Sequence, residues 1–350
     1  MPIRVGVIGL EYGAQVHVPA FKENPSYELV AVCSRPAERV EQYARENNVS
    51  RWYTDPRELI NSDIDLVSIA TPPASHAGLV AAALARQRHV ITEIAFMPSA
   101  ADARVVMDMA RSAGVVDTAA FVLRYKPALR YVSELLKQGE IGEPRLLCFD
   151  YFSNVLAFSE QNPRWMWDAD NGGGVLAGYI AHAIDVCEQW FGPAHEVSGT
   201  LATLTSIPVP SGINNVADDT GHFSVQFESG LLGMFRYSGI TAVPHTGFEI
   251  HGTTGTLLID GFGDDLAILR MGADATEPLY VPMHYIEELR GHGGLQGAFN
   301  VFLERLAVAI TERRLTPDLP TFADGLRVTR VVDAIRRSAR EKRAVAVAEI

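Results

Sequence analysis

From residue 3 to about residue 120, short apolar runs alternate with amphipathic stretches. The runs at 3–8, 28–33, 65–70, 89–92 and 115–120 are nearly unbroken, as in strands covered on both faces. Between them, stretches such as Ala37–Asn47 and Ser75–Ala85 show the spacing of amphipathic helices. This alternation predicts an α/β fold with a doubly wound parallel sheet. Ligands of such sheets sit outside the carboxyl ends of the strands. Five segments therefore become candidate site loops: 9–14, 33–36, 71–76, 93–97 and 121–125.

Beyond residue 120 the pattern changes. Phe121 to Gln138 reads as a connection and a long helix. Then come runs of alternating polarity: Arg145–Ser153, Glu196–Leu204, Gly221–Phe227, Leu231–Ser238, Gly247–His251 and Thr256–Asp260. Turn signals such as Glu228-Ser229-Gly230 and Gly252-Thr253-Thr254-Gly255 separate some of them. Hairpins of this kind predict an open, mostly antiparallel sheet with one face free for packing. The tail from Ala298 to Arg340 reads as two helices interrupted at Pro317–Pro320. Two domains follow, 1–122 and 123–350, with the C-terminal helices able to pack back on the first.

Composition narrows the function classes. A chain of 350 residues exceeds the size at which a single core stops growing. A formal net charge of −12 argues against nucleic acid or an anionic membrane as partner. No apolar run reaches the roughly 18 residues of a membrane span. The N-terminus shows no basic start followed by a long apolar stretch, so a cytoplasmic location is expected. Cys33, Cys148 and Cys187 are widely spaced in apolar surroundings, which suits buried thiols and neither disulfides nor a metal site.

The chemistry concentrates in a few places. Gly9-Leu10-Glu11-Tyr12-Gly13-Ala14 follows the first strand and opens a helix, the setting of a dinucleotide-binding turn. Its middle glycine is replaced by Glu11. A carboxylate about 4 Å from a pyrophosphate costs about 4 kcal/mol at an effective dielectric near 20. That leaves binding of NADP or NAD in question unless the side chain turns to solvent. Ser34-Arg35 ends the second strand where an acidic residue would grip the ribose of NAD. A hydroxyl and a guanidinium suit a 2′-phosphate instead, with a solvated arginine as the plainer alternative. In Thr71-Pro72-Pro73-Ala74-Ser75-His76 the prolines set a rigid turn, Ser75 or Thr71 can cap the next helix, and His76 reads more readily as structural than catalytic.

The third concentration lies in the second half. Trp165-Met166-Trp167-Asp168 leads to Gly172-Gly173-Gly174, a tight loop entering a helix. On that helix Gly178, Tyr179, His182 and Asp185 fall on one side, which favours His182 as a site residue over a core histidine.

These residues resemble the Gfo/Idh/MocA oxidoreductases, nearly end to end. The resemblance rests on Val5–Ala14, Thr71–His76, Glu93 in place of a Glu-Lys-Pro motif, and Arg124-Tyr125-Lys126-Pro127. It continues through Gly139-Glu140-Ile141-Gly142, the glycine triplet, His182-Ala183-Ile184-Asp185, Gly252–Thr256 and Phe322-Ala323-Asp324-Gly325. The resemblance implies a Rossmann domain, a C-terminal α/β domain whose outer sheet face forms a subunit interface, and hydride exchange between a nicotinamide cofactor and a sugar or cyclitol. It implies cofactor contacts at Gly9, Leu10, Tyr12, Gly13, Ser34, Arg35, Thr71, Pro72, His76 and Glu93. Substrate contacts would come from Tyr125, Trp165, Asp168 and His182.

The expected Lys-Pro pair is Ile94-Ala95, and the expected aspartate before the helix histidine is Gly178. His182, Tyr179 and Glu93 are then the remaining acid–base candidates. Without a neighbouring lysine, a buried Glu93 would have a raised pKa and serve as proton donor. The alternative is a carboxylate hydrogen-bonded to backbone. Three functions compete: an atypical oxidoreductase with chemistry centred on His182, a non-redox lyase, cyclase or hydrolase in the same cleft, and a catalytically silent ligand-binding protein. The small-molecule partner and a homo-oligomer are common to the resemblance.

Overall fold

In the computed structural model, which describes residues 1–157, 164–206 and 208–350, six parallel strands follow the apolar runs of the first third. They are β1 (Ile3–Ile8), β2 (Tyr27–Cys33), β3 (Arg51–Tyr53), β4 (Leu66–Ile69), β5 (His89–Thr92) and β6 (Asp117–Ala119). Their order is β3-β2-β1-β4-β5-β6, with every neighbouring pair parallel. The order reverses at β1, where a doubly wound sheet opens its ligand crevice. The expected strands are present; the three-residue β3 was too short to announce itself by pattern.

The helices of this part are α1 (Val18–Glu23), α2 (Ala37–Glu46), α3 (Pro56–Asn61), α4 (His76–Leu84) and α5 (Ala100–Ala113). A π-helical turn, Gly13–His17, precedes α1. Proline stands at the start of α1 and α3, where its missing N–H costs nothing. Asp55 caps α3 by accepting from the Arg57 N–H at 2.8 Å.

The second part begins with α6 (Pro127–Gln138), β7 (Pro144–Phe152), α7 (Ala181–Phe191), β8 (Ala194–Ala202), β9 (Thr220–Phe227) and β10 (Leu232–Ser238). Then follow β11 (His245–Gly252), β12 (Gly255–Asp260), β13 (Asp265–Arg270), β14 (Glu277–Pro278) and α8 (Met283–Glu287). The chain ends with α9 (Gly294–Glu312), α10 (Phe322–Glu341) and β15 (Val345–Ala346). These strands form one sheet, ordered β14-β13-β12-β11-β7-β10-β9-β8-β15. Its pairs are antiparallel except β10 with β7. Alternation holds along β7, where Leu147, Phe149 and Tyr151 are buried. Facing outward on the same strand is Cys148, only half-buried and beside Glu249 and Asp150, so the expectation of three buried thiols fails there.

The chain forms two compact units. The first comprises Met1–Met97, Ala101–Val122 and Leu289–Leu326; the second comprises Pro98–Ala100, Leu123–Glu288 and Arg327–Ile350. In the first unit α9 closes over α1. Phe299 stands 6.4 Å from the Phe21 ring, and the Tyr27 hydroxyl donates to the Leu303 carbonyl at 2.6 Å. The Phe322–Gly325 motif is a packing device, since a Cβ on Gly325 would stand 2.5 Å from the Phe96 ring. Among the described residues no helix is long and apolar enough to cross a membrane.

Candidate functional site

The first unit gathers its candidates along the carboxyl edge of the parallel sheet. Gly9 has φ +99°, and a Cβ there would run into the Ala70 carbonyl. A Cβ on Gly13 would stand 3.2 Å from Val7 and 3.3 Å from Ala70, so this glycine lets the helix approach the strands. Leu10 is buried, Tyr12 is half-buried and Glu11 is exposed. With its carboxylate in water, the expected penalty against a phosphate falls from about 4 to about 1 kcal/mol.

Ser34 and Arg35 follow β2 as expected. Arg35 is exposed and borders a recess of about 540 Å3 whose lining includes Thr54, Asp55, Arg57 and Ser75. Arg57 was missed in the sequence because it depends on β3 being a strand. The neighbouring Cys33 thiol is pushed up to about 12 by burial, and so stays protonated.

The Thr71–His76 turn differs from expectation in its details. Ser75 does not cap α4; its hydroxyl donates to the Pro72 carbonyl at 2.8 Å and meets the Thr71 hydroxyl at 2.6 Å. His76 is fully buried, with Nδ1 2.8 Å from the Phe96 carbonyl and Nε2 2.7 Å from the Thr71 carbonyl. Burial pushes its pKa below the ordinary imidazole value, against the carbonyls, which favour the protonated ring. Its ring nitrogens meet carbonyls of two loops, so in this structure His76, expected as a cofactor contact, ties the loops together.

Glu93 follows β5. Its Oε1 lies 2.7 Å from His17 Nε2, and its Oε2 accepts from the Ile94 N–H at 3.2 Å. The second of the two readings of Glu93, a carboxylate bonded to backbone, describes this arrangement, with a histidine added. His17 Nδ1 in turn lies 2.7 Å from Ser68 Oγ. Neither His17 nor Ser68 was a candidate. Ser68 was legible, because a lone hydroxyl in the run Leu66-Val67-Ser68-Ile69 must find a partner once buried.

The second unit assembles the other candidates around the glycine triplet. Gly172 and Gly174 have φ +78° and +106°. A Cβ on Gly173 would collide with the carbonyls of residues 165, 166 and 168, so the close approach is to the chain's own backbone. Asp168 folds into this loop, accepting from the Asp170 N–H at 3.1 Å and the Asn171 amide at 2.6 Å. Trp165 is half-buried, whereas Trp167 and Tyr125 are core residues at 1 % exposure. Tyr125, expected as a substrate contact, presents almost no surface in this structure.

After the triplet comes a π-helical turn, Leu176–Ile180, and then α7. Asp218 anchors the turn by accepting from the Leu176 N–H and the Tyr237 hydroxyl, each at 2.9 Å. Burial raises the Asp218 pKa, and those donors oppose the shift. Irregular π turns of this kind recur at functional sites. Gly178, Tyr179 and His182 are half-buried here, and a Cβ on Gly178 would meet nothing within 4 Å. Tyr179 stacks on Tyr151 at 5.4 Å, and burial raises its phenol pKa. It is therefore a hydrogen-bond donor and a poor base. Asp185, expected on the same side, is fully buried and paired bidentately with Arg124 at 2.7 and 2.5 Å.

Comparison with known proteins agrees with this geometry. Residues 3–121 match the model of an oxidoreductase family with an NAD-binding Rossmann fold, GFO_IDH_MocA. Residues 129–258 match the GFO/IDH/MocA C-terminal domain. The 1,5-anhydro-D-fructose reductase of Ensifer adhaerens is 28 % identical over 73 % of this chain and 75 % of its own. The levoglucosan dehydrogenase of Pseudarthrobacter phenanthrenivorans is 24 % identical over 99 % of both chains. A solved levoglucosan dehydrogenase with NADH and levoglucosan superposes with TM-score 0.90 at 23 % identity, covering all of both chains, a likeness of fold. With both halves matched over well more than half of its length, and with the strand order and glycine turn such a domain requires, the chain belongs to the Gfo/Idh/MocA oxidoreductase family.

Proposed function

We propose that the protein is a nicotinamide-dependent oxidoreductase of a small sugar, cyclitol or related polyol, with NADP(H) preferred and with His182 as its acid–base group. The observation that carries the reading is the nucleotide edge: Gly9 leaves no room for a Cβ, and Gly13 packs tightly against the strands, in a sheet of order 3-2-1-4-5-6. The residues suit the cofactor. Gly9, Leu10, Tyr12 and Gly13 would hold the pyrophosphate turn, and Thr71, Pro72 and Glu93 would border the nicotinamide side. Ser34, Arg35 and Arg57 would receive a 2′-phosphate, because guanidinium groups pair with phosphate through two parallel bonds.

When bound, the cofactor supplies or accepts the hydride. The chain's own task is the proton. His182 takes it from the substrate hydroxyl at a ring nitrogen, imidazole being a side chain that exchanges protons near neutral pH. Tyr179 keeps its proton and donates a hydrogen bond. With Ile94 in place of a lysine and Gly178 in place of an aspartate, these two groups carry the work alone. The outward face of the second sheet, where Leu232 and Met234 are about half exposed, supports a homo-oligomer.

The test is titration of purified protein with NADPH and NADH, followed by fluorescence transfer, then turnover of a polyol panel. Binding of NADPH, with His182→Ala losing about 10²–10⁴-fold in kcat, is expected. No binding of either cofactor at millimolar concentration sinks the reading. An unchanged rate in His182→Ala removes the role given to that residue.

A further inference from the structure

Beside the edge that receives the cofactor lies a buried polar chain that the proposed chemistry does not use. It runs from Ser68 on β4, through His17 at the end of the π turn, to Glu93 just beyond β5. β4 and β5 are neighbours in the sheet, and the turn follows β1 on the other side of β4. The imidazole therefore joins the ends of three consecutive strands.

The ring is held on every side. Phe299 lies against it with centroids 4.5 Å apart, and Tyr12 meets it edge-on at 5.8 Å. His17 and Ser68 have no exposed surface, whereas the Glu93 side chain keeps 13 %. The chain thus has a closed end at Ser68 and an open end at Glu93. In the neutral ring, Ser68 donates to Nδ1 and the Nε2–H donates to Glu93. In the protonated ring both N–H groups donate. Either way the Glu93 carboxylate receives a donor from His17.

A buried imidazole of this kind is costly if its only task is to fill space. An apolar side chain would pack against Phe299 without a polar group to satisfy. What histidine adds is the orientation of Glu93, whose other oxygen holds the Ile94 N–H. Ligands of doubly wound sheets sit at this carboxyl end. We propose that His17 is a positioning residue: it fixes the Glu93 carboxylate and the 93–94 backbone in the conformation that receives the nicotinamide cofactor. The inference rests on the cofactor reading above.

The test compares His17→Ala, His17→Asn, His17→Gln and Ser68→Ala with the wild type, using NADPH and NADH as probes. Thermal melting is recorded in parallel. A glutamine amide reaches about as far as Nε2 and can serve Glu93; an asparagine amide reaches about as far as Nδ1 and can serve only Ser68. His17→Gln should bind cofactor within about threefold of wild type, and His17→Ala and His17→Asn about tenfold or more weaker. Ser68→Ala should bind nearly as wild type. If His17→Ala fails to fold, the Asn–Gln pair still decides, and Glu93→Gln should weaken binding on its own. Equal affinities for the Asn and Gln variants, or unchanged affinity in His17→Ala, overturn the inference while leaving the cofactor reading intact. A wild type that binds neither cofactor overturns both.

Discussion

Gly173 and Met166 approach so closely that a Cβ on the glycine would stand 2.7 Å from the Met166 carbonyl oxygen. The Asp168 carbonyl would be 2.8 Å away on the same contact. Both neighbours are backbone, so neither can swing aside. Gly173→Ala should therefore cost about 1–3 kcal/mol of stability, read from urea denaturation. Gly178, five residues later, has open space where its side chain would be. Gly178→Ala should be neutral or stabilise by up to about 1 kcal/mol, because alanine loses less entropy in a helical turn. Two glycines of similar appearance in the sequence thus predict opposite signs. A stable Gly173→Ala protein would show that the loop relaxes.

The contrast marks what the sequence could convey. Strand existence was legible because runs such as Val5–Ile8 are covered on both faces and cannot be anything polar. The parallel, doubly wound character of the sheet followed from alternation. The triplet at 172–174 announced a close approach, yet not whether the partner was a ligand or the chain itself. His182 became a candidate through its spacing with Gly178, and its role remains the proposal made above. His17 was not, since its meaning depends on Ser68 and Glu93, 51 and 76 residues away along the chain. The burial of Tyr125 was not legible, because an aromatic residue after a strand end has the same appearance whether it faces a cleft or the core.

On the proposed NADP(H) reading, cofactor discrimination would come from the two exposed guanidinium groups at the recess beyond β2 and β3. Arg35→Ala and Arg57→Ala should each weaken NADPH binding by about tenfold, the lower end for a charge-assisted bond because water screens both groups. NADH affinity should change by less than about twofold. Salt should narrow the wild-type preference, as expected of exposed charges. Equal losses for both cofactors would assign these arginines to the fold or to the pyrophosphate, not to a 2′-phosphate.

Acid should destabilise the first unit through His89. Its Nδ1 accepts the Val116 N–H at 2.9 Å, which requires an unprotonated nitrogen. Burial lowers its pKa from the ordinary value; Asp65 opposes this and Arg313 adds to it. A group with a folded pKa below its unfolded value near 6.5 is protonated first in the unfolded chain. Its contribution is full above about pH 6.5 and is lost as pH falls through the folded pKa. His76, lowered by burial as well, acts in the same direction. The melting temperature should therefore fall between about pH 7 and pH 5. His89→Asn, whose amide oxygen reaches about as far as Nδ1 and cannot titrate, should flatten part of that slope. An identical slope in the variant would clear His89.

The helix that carries His182 is anchored one turn later by an ion pair with almost no solvent contact. Arg124 has 5 % of its side chain exposed and Asp185 none. Arg327 lies 3.6 Å from the same carboxylate, and also bonds Glu188 at 2.7 Å. Removing one member leaves a buried charge without its main partner. Arg124→Ala should cost about 3–5 kcal/mol, measured by urea denaturation. The double variant Arg124→Met with Asp185→Leu should recover most of the loss, because apolar groups of similar volume replace a buried pair at little net cost. If the pair serves only to hold the helix, the double variant should also keep its kcat, while His182→Ala on the native background does not. A double variant that is stable yet inactive would move Arg124 or Asp185 from the scaffold into the reaction itself.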